Sequence, residues 1–311
     1  MLGYIIKRLL LAIPVLIGVS ILVFAIIRFI PGDPARAIAG VHASPEHIEQ
    51  VRRELLLDEG LHVQYYLFMK NLLQGDLGRS TYSRRPVTTE LSERFPNTVK
   101  LSLAAMFIAT VVGMTAGIIS ATRRYSIFDY SSMVGALVGV AAPVFWLGIM
   151  FQLLFAVRLG WLPSGQMGTF KHLILPSLTL GLATAALIAR ITRSSMLDVL
   201  RQDYITTARS KGLAERVVTY KHALKNALIP VVTVMGLQFG TLLGGAVLVE
   251  TVFSWPGIGR LMVDSILRRD YPVVQGAVLL LAVTFVLINL LVDVMYAFLD
   301  PRISYGKKEA E

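Results

Sequence analysis

Val273 to Leu299 reads VVQGAVLLLAVTFVLINLLVDVMYAFL, and Asp293 is its only charged residue. A bilayer core about 30 Å thick needs roughly 20 helical residues at about 1.5 Å each, so this run is long enough to cross it. Working back from it, comparable runs occupy Leu228 to Val252, Leu173 to Ile191, Ser131 to Val157, Thr98 to Ala121 and Leu9 to Ile30. The first follows Lys7 and Arg8, and no small-residue cleavage site comes after a short apolar core, which argues against a removed signal peptide. The expected fold is all-α: a polytopic membrane protein with six transmembrane helices and a helical extracytoplasmic segment after the first span.

Composition agrees. Hydrophobic residues make up 55% of the chain and charged residues 16%, below the roughly 25% charge of soluble domains. The absence of cysteine removes disulfides, thiolate metal sites and cysteine nucleophiles together. A formal charge of +10 could suggest nucleic acid, but the basic residues fall mostly between the apolar runs, and no nucleic-acid partner is expected.

Basic residues in short loops stay on the cytoplasmic side. Between spans four and five stand Arg190, Arg193, Arg201, Arg209, Lys211, Arg216, Lys221 and Lys225 against Asp198, Asp203 and Glu215. That loop is expected inside, with Arg123 and Arg124 after span two and Arg302, Lys307 and Lys308 at the end. Both termini are then cytoplasmic, in a multi-pass protein of a bacterial or archaeal cytoplasmic (inner) membrane. The expected layout is a cytoplasmic N-terminus and first span over 1–30, an extracytoplasmic segment over 31–96, a five-span core over 97–299 with a cytoplasmic loop at about 192–227, and a cytoplasmic tail over 300–311. Trp161 and Trp255, in short outer loops, suit the headgroup level.

Within 31–96, Pro31-Gly32-Asp33-Pro34 stops the first helix. Ser44-Pro45-Glu46-His47 opens another, with Ile48, Val51 and Leu55 at amphipathic spacing, and a further amphipathic stretch covers Gln64 to Leu73. These predict a small helical cap, with a solvent-exposed tether as the alternative.

Gly236, Gly240 and Gly244 recur every four residues, as do Gly113 with Gly117 and Gly135 with Gly139. They read as helix-packing stripes, serving either intramolecular packing or a subunit interface. Pro14, Pro143 and Pro176 would kink or end helices. Mid-span polar residues are neutral: Gln152, Gln238, Thr241, Thr284 and Asn289. Gln238 and Thr241 are the candidate pathway lining, although helix-to-helix hydrogen bonding is the commoner use of such groups.

Chemistry is hard to place in this chain. The histidines His42, His47, His62, His172 and His222 form no His-Glu-x-x-His pair, Ser194-Ser195 lacks a recognisable base, and there is neither a Gly-x-Ser-x-Gly elbow nor a Gly-x-x-x-x-Gly-Lys-[Ser/Thr] phosphate cradle. No catalytic, cofactor or metal residue is assigned, and the chain is not expected to be an enzyme. A secondary carrier or channel would need its own ion site, and a membrane-embedded enzyme a polar cluster; neither is visible.

The basic loop is the informative segment: Asp203-Tyr204-Ile205-Thr206-Thr207-Ala208-Arg209-Ser210-Lys211-Gly212-Leu213. Small Ala208 beside Thr207 would let a short helix be approached closely from outside the membrane, and Gly212 would end it. On pattern alone it is a docking element or a solvated loop attracted to anionic lipid.

The same residues resemble the coupling loop of binding-protein-dependent ABC importers, whose motif reads Glu-Ala-Ala, three residues, Gly, nine residues, Ile-x-Leu-Pro. Here Thr206-Thr207-Ala208 stands at Glu-Ala-Ala and Gly212 at the glycine, while His222, Leu224 and Lys225 take the isoleucine, leucine and proline positions. The dipeptide, oligopeptide, nickel and glutathione permease branch departs in this same way, and Thr207-Ala208-Arg209-Ser210-Lys211-Gly212 with His222-Ala223-Leu224-Lys225-Asn226-Ala227 is similar to its phrases. Pro31-Gly32-Asp33-Pro34, Gly75-Asp76-Leu77-Gly78, Phe253-Ser254-Trp255-Pro256-Gly257 and Arg269-Asp270-Tyr271-Pro272 extend the resemblance over essentially the whole chain. The short N-terminus and large outer segment look like the first of the two permease subunits. The resemblance implies a second permease subunit, two ATP-binding subunits that hold ATP and Mg, an extracytoplasmic substrate-binding protein and, around them, membrane lipid. It also implies ATPase coupling through Asp203, Tyr204, Thr206, Thr207, Ala208, Arg209, Lys211, Gly212 and Leu213, and a cargo of small peptides or similar polar solutes.

Overall fold

The computed structural model describes residues 2–29, 33–40, 43–54 and 57–299. Pro31, Gly32, His42, Leu55, Arg302, Lys307 and Lys308 of the sequence reading lie outside the described residues. Among those described, the regular structure is helical: α1 (Leu2–Phe29), α2 (Pro34–Ala39), α3 (Pro45–Glu54), α4 (Leu61–Leu73), α5 (Val87–Thr122), α6 (Ile127–Ala141), α7 (Val144–Phe151), α8 (Phe170–Leu200), α9 (Asp203–Ser210), α10 (Glu215–Val217), α11 (Leu224–Val252), α12 (Ile258–Leu267) and α13 (Tyr271–Leu299). Wider π-helical turns continue α7 over Gln152–Arg158 and lead into α11 over Val218–Ala223.

Among the described residues, five helical stretches, in α1, α5, α8, α10–α11 and α13, are long and apolar enough to cross a membrane. The third expected span differs from a straight helix: α6 and the α7 run meet at a 105° bend, and six spans result when this pair counts as one. Proline is the cause. Pro143 cannot continue the ladder and pushes Ala142 into extended geometry, with ψ at 131°. Pro14 and Pro176, by contrast, sit inside unbroken helices.

The chain forms two compact units, one centred on Val99–Trp255 and the other on Ile6–Thr98 with Pro256–Val286. In the second, the Asp33 carboxylate caps α2 by accepting from the Ala35 N–H at 3.0 Å and also pairs with Arg52 of α3. Ala35, Ala39 and Val51 close the small core beneath them. Ser20 of α1 hydrogen-bonds Tyr65 of α4 at 2.7 Å, and Phe24 meets the Tyr65 ring edge-on. Asp270, buried before α13, accepts from the Ser80 hydroxyl and the Thr81 N–H, fixing the loop that precedes α5. Helices therefore do occupy much of 33–73, where the sequence allowed either a cap or a tether.

The other unit is organised around α8, which packs on α6, α7 and α11. A Cβ on Gly113 or Gly117 of α5 would lie 2.8 Å from the Ala185 carbonyl or 2.6 Å from that of Ala189, and one on Gly181 of α8 would lie 2.8 Å from the Ala105 carbonyl. Glycine at these places lets two helix backbones touch. Trp255 is not a headgroup anchor. It is 3% exposed, in a core with Phe253, Leu101 and Leu175, while Trp161 remains 65% exposed.

Candidate functional site

The segment expected as a loop at about 192–227 is almost entirely helical. The α8 helix runs past the predicted end at Ile191 to Leu200, α9 follows after two residues, and a four-residue turn leads to α10 and the π-helical entry to α11. Arg193, counted with that loop from sequence, lies within α8. Its guanidinium donates to both Asp129 oxygens at 2.8 and 3.0 Å and to Ser120 Oγ at 2.9 Å, tying α5, α6 and α8 together.

In α9, Ile205 and Ala208, three residues apart, share one face and are buried at 0% and 7% exposure. They belong to one buried cluster with Ala121 of α5, Met196 of α8, Val218 and Ala223 of the π-helical turn, and Ala227 of α11. Ala208 thus corrects the sequence reading. Its small side chain seats the helix on the chain's own core, and it does not open the outer surface to close approach. Asp203, Tyr204, Thr206, Thr207, Arg209, Lys211, Gly212 and Leu213 are exposed.

Local bonds make α9 a defined element despite its length. Asp203 sits in the first turn, where a carboxylate favours the helix dipole, and Arg209 sits in the last. The Thr207 and Ser210 hydroxyls donate back to the Asp203 and Thr206 carbonyls. At the far end, the Gly212 N–H donates to the Arg209 carbonyl at 2.9 Å and the Leu213 N–H to the Ala208 carbonyl at 3.4 Å, with Gly212 at φ +75°. That double pattern is a Schellman stop, whose left-handed residue favours glycine.

Two side-chain contacts hold the turn. Arg209 grips Glu215 bidentately at 2.7 and 3.1 Å, and this hydrogen bonding raises the Arg209 pKa above its usual value. Asn226 Nδ2 donates to the Tyr204 hydroxyl at 2.7 Å, fastening α9 to α11. Ile205, Glu215 and Asn226 belong to this site and were not assigned to it from sequence. The available signal for Ile205 was its three-residue spacing from Ala208, both apolar in a polar stretch.

The remaining assigned residues are dispersed. Gly236 meets α13, since a Cβ there would come within 2.4 Å of Val292, whereas a Cβ on Gly244 meets nothing within 4 Å among the described residues. Gly240 is buried, Gln238 is half-buried, and Thr241 is exposed with its hydroxyl donating to the Leu237 carbonyl at 3.1 Å. An apolar cavity of about 460 Å³ opens between α5, α11 and α13, lined by Leu103, Met106, Phe239 and Leu291. Neither Gln238 nor Thr241 lines it.

Comparison with known proteins places this arrangement. Residues 113–305 match the family described as binding-protein-dependent transport system inner membrane component, and residues 1–103 match the N-terminal region of such membrane components. A dipeptide transport system permease protein of Alkalihalophilus pseudofirmus is 51% identical, over 98% of this chain and 100% of the relative. A glutathione transport system permease protein of Escherichia coli is 53% identical, again over 98% and 100% of the two chains. Among solved structures, a chain of the MetNI methionine ABC transporter superposes with a TM-score of 0.58 at 19% identity, covering 68% of this chain and 96% of that one, a likeness of fold. Its sequence matches over nearly its full length, and its apolar helices, make the chain a member of the binding-protein-dependent transport system inner membrane component family, a multi-pass permease of the ABC importer kind.

Proposed function

We propose that this chain forms half of the translocation path of an ATP-driven importer of small peptides or similar polar solutes, and that α9 couples it to a cytoplasmic ATPase. The carrying observation is the two-sided build of α9. Its inner face rests on residues of α5, α8 and α11 at once, and its outer face is polar, exposed and held in shape by the Gly212 stop and the Arg209–Glu215 pair. Force applied to the outer face would therefore enter a core that three spans share.

The assembly that goes with this reading has a second permease subunit, two ATPase subunits that hold ATP and Mg, and a substrate-binding protein that docks on the extracytoplasmic side and meets the 31–96 segment. No cofactor is assigned to this chain, and hydrolysis belongs to its partners. Both termini and α9 face the cytoplasm, which follows from the excess of basic residues around α9. Closure of the ATPase dimer would favour one arrangement of the spans only through contacts that differ between the two states.

The experiment is a pair of substitutions at Gly212. Among the described residues nothing within 4 Å meets a Cβ there, so a larger side chain projects outward, and either substitution bears the cost of φ +75°. That cost is about 1 kcal/mol. In reconstituted vesicles, Gly212→Ala is expected to keep most ATP-dependent uptake, while Gly212→Trp inserts normally but loses it. Normal uptake by Gly212→Trp would remove α9 from the coupling path.

A further inference from the structure

Beside Arg209 and Glu215, where α5 and α8 end, lies a polar cleft of about 470 Å³, within the roughly 300–1,000 Å³ of ordinary ligand pockets. Arg123, Arg124, Arg201 and Arg209 line it, with Glu215 as the acid. Glu215 is already committed to Arg209. Arg123 lies over the Phe128 ring and Arg124 over the Tyr125 ring, each 5.1 Å from the centroid, so aromatic faces orient these two cations without neutralising them. Four arginines against one acid leave the lining of the cleft with net positive charge, which an anion would offset.

The level of the cleft points to the kind of anion that would suit it. It begins at Ala121 and Thr122, the last turn of one apolar span, and at Leu197 and Leu200, the last turn of another. Tyr125, Ile127, Phe128 and Tyr130 beside it are 50% to 78% exposed, the pattern of aromatic and apolar groups at a membrane–water boundary. Basic pockets between transmembrane helices at this depth suit lipid headgroups.

We propose that this cleft is a binding site for the phosphodiester headgroup of an anionic phospholipid, which bridges the α5–α6 corner to the α8–α9 corner. The site does not depend on the coupling role of α9, and its test reads lipid retention in place of transport. The full-length chain, delipidated in neutral detergent, would be titrated with phosphatidylglycerol or phosphatidylcholine and bound lipid counted by native mass spectrometry. Phosphatidylglycerol is expected to be retained preferentially. Each arginine near the surface contributes about fivefold, so R123Q/R124Q/R201Q is expected to weaken retention roughly a hundredfold. The corresponding triple lysine variant, which keeps the charge, should restore most of it and separates charge loss from misfolding. Equal retention of the two lipids, or unchanged retention by the glutamine variant, would overturn the proposal. Displacement of the lipid by an excess of inorganic phosphate would identify a soluble-anion site and also overturn it. So would loss of ATPase-subunit binding by the glutamine variant with lipid retention intact, since the cleft would then serve a protein partner.

Discussion

Gly236 and Gly244 show how differently two residues of one spacing behave. The first presses its backbone against Val292 of α13, and the second faces open space. Gly236→Leu is expected to lower stability by about 1 to 3 kcal/mol through overpacking, read as a lower melting temperature of the detergent-solubilised chain, while Gly244→Leu leaves that temperature unchanged. If Gly244→Leu nevertheless abolishes recovery of a second permease subunit, the open face is an intersubunit contact. Asp129 is a second sensitive position. Its carboxylate is 5% exposed and accepts from both Arg193 and Ser120. Asp129→Asn is expected to cost about 3 kcal/mol because it strands the Arg193 charge, and replacing both partners with apolar residues should recover much of the loss. The sequence supplied the glycine period, but a period fixes a face only relative to its own helix. Which glycine meets a neighbour depends on packing partners far away in the chain, and the pairing of Asp129 with Arg193 across 64 positions had no local signal.

Among elements, the apolar runs were legible because lipid demands long, uncharged helices, and that requirement is written residue by residue. Their ends were less so. The α8 helix passes its apolar limit because Thr192 and Met196, on its buried face, still have neighbours to pack against. The break between α6 and α7 could be placed at Pro143 from sequence, but its 105° sharpness could not. For α9, the composition announced a short helix stopped by Gly212, and the motifs marked the segment as special. The direction in which Ala208 points needed the fold. Ala208→Leu is accordingly expected to unseat α9 and speed hydrogen exchange over 203–213, whereas Thr207→Leu, on the exposed side, should leave exchange there unchanged. Equal protection in both variants would mean that the helix does not depend on its buried face.

For the whole molecule, the absence of cysteine makes the proposed sidedness directly measurable. Lys211→Cys should react with an impermeant maleimide only after the cells are opened, and Asp76→Cys should react in intact cells; the reverse pattern would invert the topology. Family and membrane placement left a legible record because the apolar runs and the family phrases extend along most of the chain. Cargo left little, since the polar residues inside the spans are few and scattered. The seating of α9 on Ile205 and Ala208 has an evolutionary corollary. Because one face of that helix is answerable to the fold and the other to whatever lies outside, mutations on the outer face, apart from the Gly212 stop and the Arg209–Glu215 pair, are free to drift without endangering the protein's own integrity. If α9 couples as proposed, duplicated permeases could acquire separate engines by rewriting a handful of surface letters, and a chimera carrying a relative's outer face on this inner one should inherit the relative's choice of engine.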